Sequence, residues 1–243
     1  MPHAGEFRLS ITRALGDQLA EALSWLTPEP LEQTQLNRLL PRPGVYQLYE
    51  DTQLVYVGKA DTSLPDRLMK HHRKIEARLN VGAMGFTCIY VDEDLHAVAP
   101  ERLLINRYRS GGGLPWNGNG FGSNDPGRNR DETVFESTHF DSLHPANLDW
   151  ICEDIEPGVY AAAELLRTVK AALPYVFRYQ SADFHHDIQV TLRDVTPTAD
   201  ELFTLLGGAV AAEDDRWQIT ALPGYVIMYP RSGPYPSAQR IYR

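Results

Sequence analysis

Five side chains in the N-terminal half of the chain have the types and spacing to do chemistry. Tyr46 and Tyr56 lie ten positions apart, in two runs of β-branched and aromatic residues that a polar turn joins. This pattern predicts a β-hairpin in which both phenol groups can point to one face of the sheet. Phenols donate and accept hydrogen bonds, but tyrosine also packs across strands, so structural packing is the alternative.

A basic pair follows on the next predicted helix. Arg67 and His71 are four positions apart and therefore share one helical face. His71 and His72 both fill a gap in the apolar stripe of this helix, so at least one imidazole is expected to face the sheet, with Arg67 beside it. A solvated basic face is the alternative, since Arg73 and Lys74 lie in the same helix.

Glu101 occupies a position that the apolar pattern of the predicted helix 98–109 reserves for a buried side chain. Burying a carboxylate is costly unless a cation or hydrogen bonds compensate. A divalent ion would do so, because carboxylate oxygens suit Mg²⁺. An ion pair with Arg67, or an exposed first-turn position after Pro100, would also explain the residue.

The elements that must position these residues follow an α, then ββαβα, then mixed α+β order. The hydrophobic pattern predicts one or two helices in 8–40, strands at 45–49 and 54–57, a helix at 62–79, a strand at 86–91 and a helix ending at Arg109. Residues 111–130 contain seven glycines and predict a loop. In the C-terminal third the pattern predicts helices at 159–172 and 198–206 and strands at 175–180, 187–193, 216–220 and 224–229.

Composition places the chain among globular proteins of one large or two small domains. It has 243 residues, of which 43% are apolar, and this excludes wholesale disorder. The sequence has neither an apolar run long enough to span a membrane nor a secretion signal, so we expect a cytoplasmic protein without a membrane partner. Cys88 and Cys152 lie far apart in no metal spacing, as expected in a reducing cytosol.

The net charge of −9 argues against nucleic acid as a partner, but the charge is unevenly distributed. Residues 41–130 carry 12 Lys and Arg against 10 Asp and Glu, whereas residues 131–160 carry eight acids and no Lys or Arg. The segment that holds the five candidate side chains is therefore compatible with phosphate contact.

The order of these features resembles the GIY-YIG nuclease superfamily. The resemblance spans residues 42–118 and includes Gly44-Val45-Tyr46, Tyr56-Val57-Gly58, the basic helix, Glu101 and Pro115-x-Asn117. Val45 and Val57 replace the isoleucine of the two motifs and are also β-branched. The resemblance implies an α+β fold with a small antiparallel sheet and flanking helices. Asn117 alone would be an ordinary turn residue, and Asn106 and Asn119 are other candidates for its place.

Three further segments, 120–128, 143–145 and 173–179, are similar to the type II restriction endonucleases of this superfamily that cut CCGCGG. This narrower resemblance covers nearly the whole chain. It implies an N-terminal helical arm at 1–41, a catalytic core at 42–118, a glycine-rich DNA-contacting loop with an acidic connection at 119–157, and an α+β extension packed on the core at 158–243.

The implied reaction is phosphodiester hydrolysis, which needs an activated water and neutralisation of charge on the phosphate. Glu101 would hold a single Mg²⁺, with Mn²⁺ as the alternative, and Arg67 would bind the phosphate. Tyr46 would take the proton of the attacking water, with His71, Lys59 or another cation lowering its pKa or relaying the proton. His71 is the alternative base. Tyr56 would position water or phosphate, and Asn117 would order the loop or the metal-bound waters.

The resemblance also implies double-stranded DNA as substrate, a homodimer that cuts both strands, a prokaryotic host and a cognate DNA methyltransferase. Candidate DNA contacts are Arg73, Lys74, Asn124, Arg128 and Arg130, and for the arginines of the loop a phosphate contact and base reading are equally open. A structure-specific or toxin-type nuclease, a catalytically silent DNA-binding module and a metabolic enzyme with accidental motifs are the competing hypotheses.

Overall fold

In a computed structural model of the chain, the described residues are 3, 10–91, 100–109, 113–122, 127–231 and 233–243. They fall into two units. Unit 1 comprises Met1–His72 and Val81–Gly122, and unit 2 comprises Arg73–Asn80 and Ser123–Arg243, as far as these ranges are described. The sequence-based boundaries at 41, 118 and 157 stay predictions.

Unit 1 contains one antiparallel sheet and helices. Its elements are α1 (Ile11–Ser24), β1 (Glu29–Pro30), α2 (Gln33–Leu36), β2 (Gly44–Glu50), β3 (Gln53–Ala60), the larger part of α3 (Leu64–Glu76), β4 (Met84–Tyr90) and α4 (Pro100–Arg109). The strands lie in the order β1-β4-β2-β3. The predicted mixed α+β fold with a small antiparallel sheet is confirmed. Strand β1 was not predicted, because Glu29 and Pro30 carry no strand pattern.

The β2–β3 hairpin sets the faces of the sheet. Asp51 adopts a positive φ of 55° in its turn, a conformation that aspartate tolerates better than most residues. The register pairs Tyr46 with Gly58 and Leu48 with Tyr56, so both tyrosines point to one face, as predicted.

The opposite face of the hairpin packs on helices α1 and α4. Val45 and Val57 lie there in a buried cluster with Leu19, Leu23 and Leu104. Helix α3 ends at Glu76, three residues earlier than predicted, and Asn80 follows with a positive φ of 60°. Residues 98 and 99, the first two of the predicted helix 98–109, lie outside the described residues.

Unit 2 is a second α+β assembly. Besides the C-terminal end of α3, its elements are α5 (Phe140–Leu143), β5 (Gly158–Ala161), α6 (Ala162–Ala172), β6 (Phe177–Tyr179), β7 (Gln189–Leu192), α7 (Ala199–Glu213), β8 (Trp217–Leu222), β9 (Tyr225–Pro230) and β10 (Arg240–Tyr242). One sheet has the order β10-β8-β9-β6, and β5 pairs with β7.

Two predictions for unit 2 need correction, and one strand was missed. The first residues of the predicted helix 159–172 form β5, because they pair with β7. The helix predicted at 198–206 continues to Glu213, through Gly207 and Gly208. Strand β10 was not predicted. None of the helices within the described ranges is long and apolar enough to cross a lipid bilayer.

Candidate active site

The glycines of the two motifs make room for the core of the site. Tyr46 is fully buried on β2, directly opposite Gly58 on β3. A Cβ atom at Gly58 would overlap the hydroxyl group of Tyr46. A Cβ atom at Gly44 would overlap the backbone of β4 and the side chain of Leu64 on α3. Gly58 therefore permits close packing against Tyr46, and Gly44 permits β2 to approach β4 and α3 closely.

The hydroxyl group of Tyr46 is shared by two side chains of α3. It lies 2.7 Å from Nε2 of His71, and Nε of Arg67 donates a hydrogen bond to it at 3.3 Å. His71 is 4% exposed, so it is the imidazole of the predicted pair that faces the sheet, whereas His72 is only partly buried. The helical spacing thus brings Arg67 and His71 to the same phenol.

Tyr56 completes an aromatic group on this face. Its ring centroid lies 6.2 Å from that of Tyr46 and 5.6 Å from that of His71. The positive charge of Arg67 also acts on Tyr56, because it lowers the pKa of that phenol. The partly buried guanidinium of Arg67 is therefore electrostatically coupled to both phenols.

Burial controls the acidity of the two phenols. Loss of solvent raises the pKa of Tyr46 well above its ordinary value, and the nearby Tyr56 adds to this, while the positive charge of Arg67 opposes it. The pKa of Tyr56 is raised for the same first reason. Arg67 lowers the pKa of Tyr46, as a neighbouring cation is expected to do, but burial has the larger effect and the net pKa is raised. Of the two options derived from the sequence, this favours proton relay.

Glu101 lies in the first turn of α4 and is partly buried. Burial raises the pKa of its carboxyl group, and the positive charges of Lys59 and Arg67 oppose this. Glu101 in turn raises the pKa values of Tyr46 and Tyr56 by its charge, so it is electrostatically coupled to the phenols.

Lys59 belongs to the surroundings of Glu101. Its Nζ forms an ion pair of 2.9 Å with Asp61, and its side chain is 35% exposed. In the register Lys59 pairs with Val45, so it points away from the face that carries Tyr46. This placement favours an effect on Glu101 over a direct effect on the phenol.

A divalent ion would find one partly buried carboxylate here. Among the described residues no group of three His, Cys, Asp or Glu side chains could hold a metal. Mg²⁺ commonly binds through one or two carboxylates, keeping waters and taking substrate phosphate oxygens as further ligands. Glu101, with Asp61 as a further carboxylate in its electrostatic surroundings, fits that mode of binding.

Asn117 fastens the segment after the glycine run to strand β3. Its Oδ1 accepts a hydrogen bond from the Val57 N–H and its Nδ2 donates to the Val57 carbonyl, each at 2.8 Å. The N–H of Trp116 donates to the Val55 carbonyl at 3.0 Å. Because β3 is the outer strand of its sheet, this segment satisfies backbone groups that would otherwise lack partners. Asn106, by contrast, is exposed.

The sequence reasoning missed the aromatic cover of the site. The buried ring of Phe121 stacks on His71 at 4.8 Å between centroids with an interplanar angle of 21°, and its edge meets Tyr56 at 4.9 Å. A Cβ atom at Gly122 would overlap the Tyr56 hydroxyl group. A lone Phe between two glycines was the available signal, but it was assigned to a base-reading loop.

The predicted DNA contacts that are described lie in unit 2. Arg73 and Arg128 are exposed, and Nζ of Lys74 lies 5.4 Å from the Phe140 ring centroid. Arg130 has a 16% exposed side chain paired with the buried Asp141, so its guanidinium already has a structural partner. Asn124 lies outside the described residues.

Comparison with known families agrees with this geometry. Residues 51–172 match the family model of the Eco29kI GIY-YIG domain, and Eco29kI is a type II restriction endonuclease recognising CCGCGG. The match spans half of the chain. It includes Tyr56, Arg67, His71, Glu101 and Asn117 and begins after the first motif strand. Among curated proteins, none shows significant sequence similarity to the chain. The chain belongs to the Eco29kI GIY-YIG nuclease family.

Proposed function

We propose that the protein is a Mg²⁺-dependent endonuclease that cuts double-stranded DNA at a specific sequence. The observation that carries the proposal is the Tyr46 hydroxyl group held between His71 Nε2 and Arg67 Nε. Phosphodiester hydrolysis needs a group that accepts a proton from water beside a positive charge that meets the phosphate, and these three side chains supply both.

Proton transfer follows from the hydrogen-bond directions. Arg67 donates to the Tyr46 oxygen, so the hydroxyl hydrogen of Tyr46 is available to His71 Nε2, provided that the neutral imidazole carries its proton on Nδ1. When the Tyr46 oxygen accepts a proton from the attacking water, it can pass its own proton to His71. No tyrosinate is needed at any stage, which suits a phenol whose pKa is raised by burial.

The remaining residues act on the phosphate. Arg67 presents a fixed planar set of donors, which matches the oxygens of a phosphate. Tyr56 is electrostatically coupled to the same guanidinium and would orient water or phosphate. A divalent ion bound at Glu101 would supply neutralisation of charge on the phosphate and on the leaving 3′ oxygen. Asn117 acts indirectly, since both polar atoms of its amide hold the loop on β3.

Site specificity is supported by the extent of the family match, which runs to residue 172 and therefore beyond the GIY-YIG core. A palindromic site would be cut by a two-fold homodimer, because the symmetry of the DNA then mirrors that of the protein. A cognate methyltransferase would protect the host's own copies of the site.

The test is plasmid cleavage by the purified protein. Supercoiled plasmid with Mg²⁺ is expected to yield discrete linear fragments, while EDTA or the Glu101→Gln variant yields none. Tyr49→Phe is a matched control that changes another tyrosine of the same strand and should leave the fragments unchanged. A smear in place of discrete fragments would contradict site specificity, and DNA binding without cleavage in Mg²⁺ would contradict the nuclease itself.

A further inference from the structure

A polar pocket of about 230 Å³ lies in unit 2, and none of its lining residues has been assigned a catalytic role. Its lining includes Arg128, Gln180, Tyr229, Arg231 and Tyr235. Arg128 was predicted only as one of several DNA contacts, and nothing in the sequence connected it with the residues of β9. The pocket shows how its side chain is held.

Two contacts fix the orientation of the Arg128 guanidinium: stacking sets its plane, and a hydrogen bond sets its rotation within that plane. Its central carbon lies 4.0 Å from the centroid of the Tyr229 ring, and its Nη2 donates a hydrogen bond to Oε1 of Gln180 at 3.0 Å. Arg128 nevertheless remains exposed. An exposed arginine normally samples many rotamers, so this arrangement removes conformational entropy before any ligand binds.

The backbone that carries Arg128 is anchored to the same strand as its stacking partner. Arg128 lies in a short 3₁₀ turn, Gly127–Arg130, and its carbonyl accepts a hydrogen bond from the N–H of Asp131. The carboxylate of Asp131 is 2% exposed and accepts from the Tyr225 hydroxyl group at 2.9 Å. Tyr225 and Tyr229 both belong to β9, so backbone and side chain of Arg128 share one support.

The charge environment separates Arg128 from the arginines around it. Arg130 pairs with Asp141, Arg178 with Asp131, and Arg231 with Glu132. Within the described ranges, no carboxylate pairs with Arg128. Its positive charge is therefore oriented and forms no ion pair with a described carboxylate, although Asp131 and Glu132 also line the pocket. This arrangement is expected for a group that binds a pair of acceptors on a ligand.

We propose that Arg128 reads the O6 and N7 acceptors of a guanine in the recognition sequence, and that Tyr229 and Gln180 are its positioning residues. The inference rests on the proposed function and names a specificity contact for it. A phosphate also offers paired acceptors that the guanidinium fork can match, and the binding experiment below separates the two contacts. The edge of a base lies in one plane, which the stacking on Tyr229 and the bond to Gln180 would set.

The experiment measures binding without metal, so that it does not depend on cleavage. A random duplex library is selected with the wild-type protein in EDTA, and the preferred duplex is then compared with duplexes in which one G·C pair at a time is replaced by A·T. The variants are Arg128→Lys, Gln180→Leu, Tyr229→Leu and Tyr229→Phe. Arg216→Ala is the control, because Arg216 is an exposed arginine of unit 2 that pairs with Asp214.

We expect Arg128→Lys to weaken binding of the preferred duplex by about 10- to 100-fold, because the ammonium group of lysine reproduces neither the planar fork of the guanidinium nor its stacking on Tyr229. The same variant should lose discrimination at one G·C position of each half-site. Gln180→Leu and Tyr229→Leu should lose part of that discrimination, whereas Tyr229→Phe keeps the stacking ring and should retain it. Arg216→Ala should leave discrimination unchanged.

Two results would overturn the inference. One is a uniform loss of affinity for all duplexes with a reduced salt dependence, which indicates a phosphate contact. The other is unchanged discrimination in Arg128→Lys. Failure of the proposed function is distinguishable, because it would appear as absence of any preferred duplex for the wild-type protein, or as site-selective binding without cleavage in Mg²⁺.

Discussion

Replacing Tyr46 with phenylalanine tests the proton relay most closely, because the change removes one oxygen atom and keeps the ring. That oxygen lies 2.7 Å from Nε2 of His71 and 3.3 Å from Nε of Arg67. Both partners would lose a hydrogen bond in a site where His71 is almost fully buried. A buried polar group without a partner costs about 1–3 kcal/mol, so we expect the free energy of unfolding to fall by about that amount.

The effect on the reaction should be much larger than the effect on stability. A group that transfers protons contributes about 10²- to 10⁴-fold to the rate, so single-turnover cleavage by Tyr46→Phe should slow by that factor. The assay uses enzyme in excess over a duplex that contains the site. The defect should persist from about pH 6 to about pH 9, because a buried tyrosine with a raised pKa stays protonated throughout that range.

Two further variants make the prediction refutable. His71→Ala should be as slow as Tyr46→Phe, and the double variant should be no slower, because residues of one relay act as a unit. Tyr49→Phe is the control, since its hydroxyl group donates to Gln47 at 2.7 Å on the same strand, and it should lose about 1 kcal/mol of stability at an unchanged rate. Cleavage by Tyr46→Phe within about threefold of wild type, well below the factor expected for a proton-transfer group, or a double variant whose defect is the product of the single defects, would refute the relay.

Three further predictions follow from the same geometry. Glu101→Gln should abolish cleavage but raise the melting temperature at neutral pH. Burial raises the pKa of Glu101, so the ionised carboxylate makes the folded state less stable as pH rises through the ordinary range of a carboxyl group. A variant whose melting temperature equals that of wild type at both pH 4 and pH 7 would contradict this. Asn117→Asp should lower the free energy of urea unfolding by about 1–3 kcal/mol, because a carboxylate cannot donate to the Val57 carbonyl; an unchanged unfolding midpoint would contradict that role. Burial raises the pKa values of Tyr175 and Tyr242, so these phenols lose their protons at lower pH in the unfolded chain than in the folded one. The free energy of unfolding should therefore fall above about pH 10, and a free energy that stays constant there would contradict this.

The sequence allowed the central geometry to be predicted because local periodicity decides it. The alternation of residues in the hairpin places Tyr46 and Tyr56 on one face, and the spacing of four places Arg67 and His71 on one side of α3. These relations depend on neighbours in the chain and on the regular geometry of strands and helices.

The rest depends on contacts between distant positions. Phe121 stacks on a histidine fifty positions earlier, and its neighbour Gly122 is needed because the hydroxyl group of Tyr56 lies against it. The raised pKa of Tyr46 comes from the degree of burial, which no local pattern quantifies. Arg128 and Arg130 are two residues apart and identical in type, yet Arg130 pairs with a buried carboxylate whereas Arg128 stacks on a tyrosine ring.

The central claim is that this cluster hydrolyses DNA at one defined sequence. The most direct measurement is to digest a sequenced plasmid with the wild-type protein and Mg²⁺ and then sequence every cut end. We predict that all ends fall at one palindromic sequence, with the same offset on both strands and with 5′-phosphate and 3′-hydroxyl termini. Ends scattered over the plasmid, or an uncut plasmid, would contradict the claim.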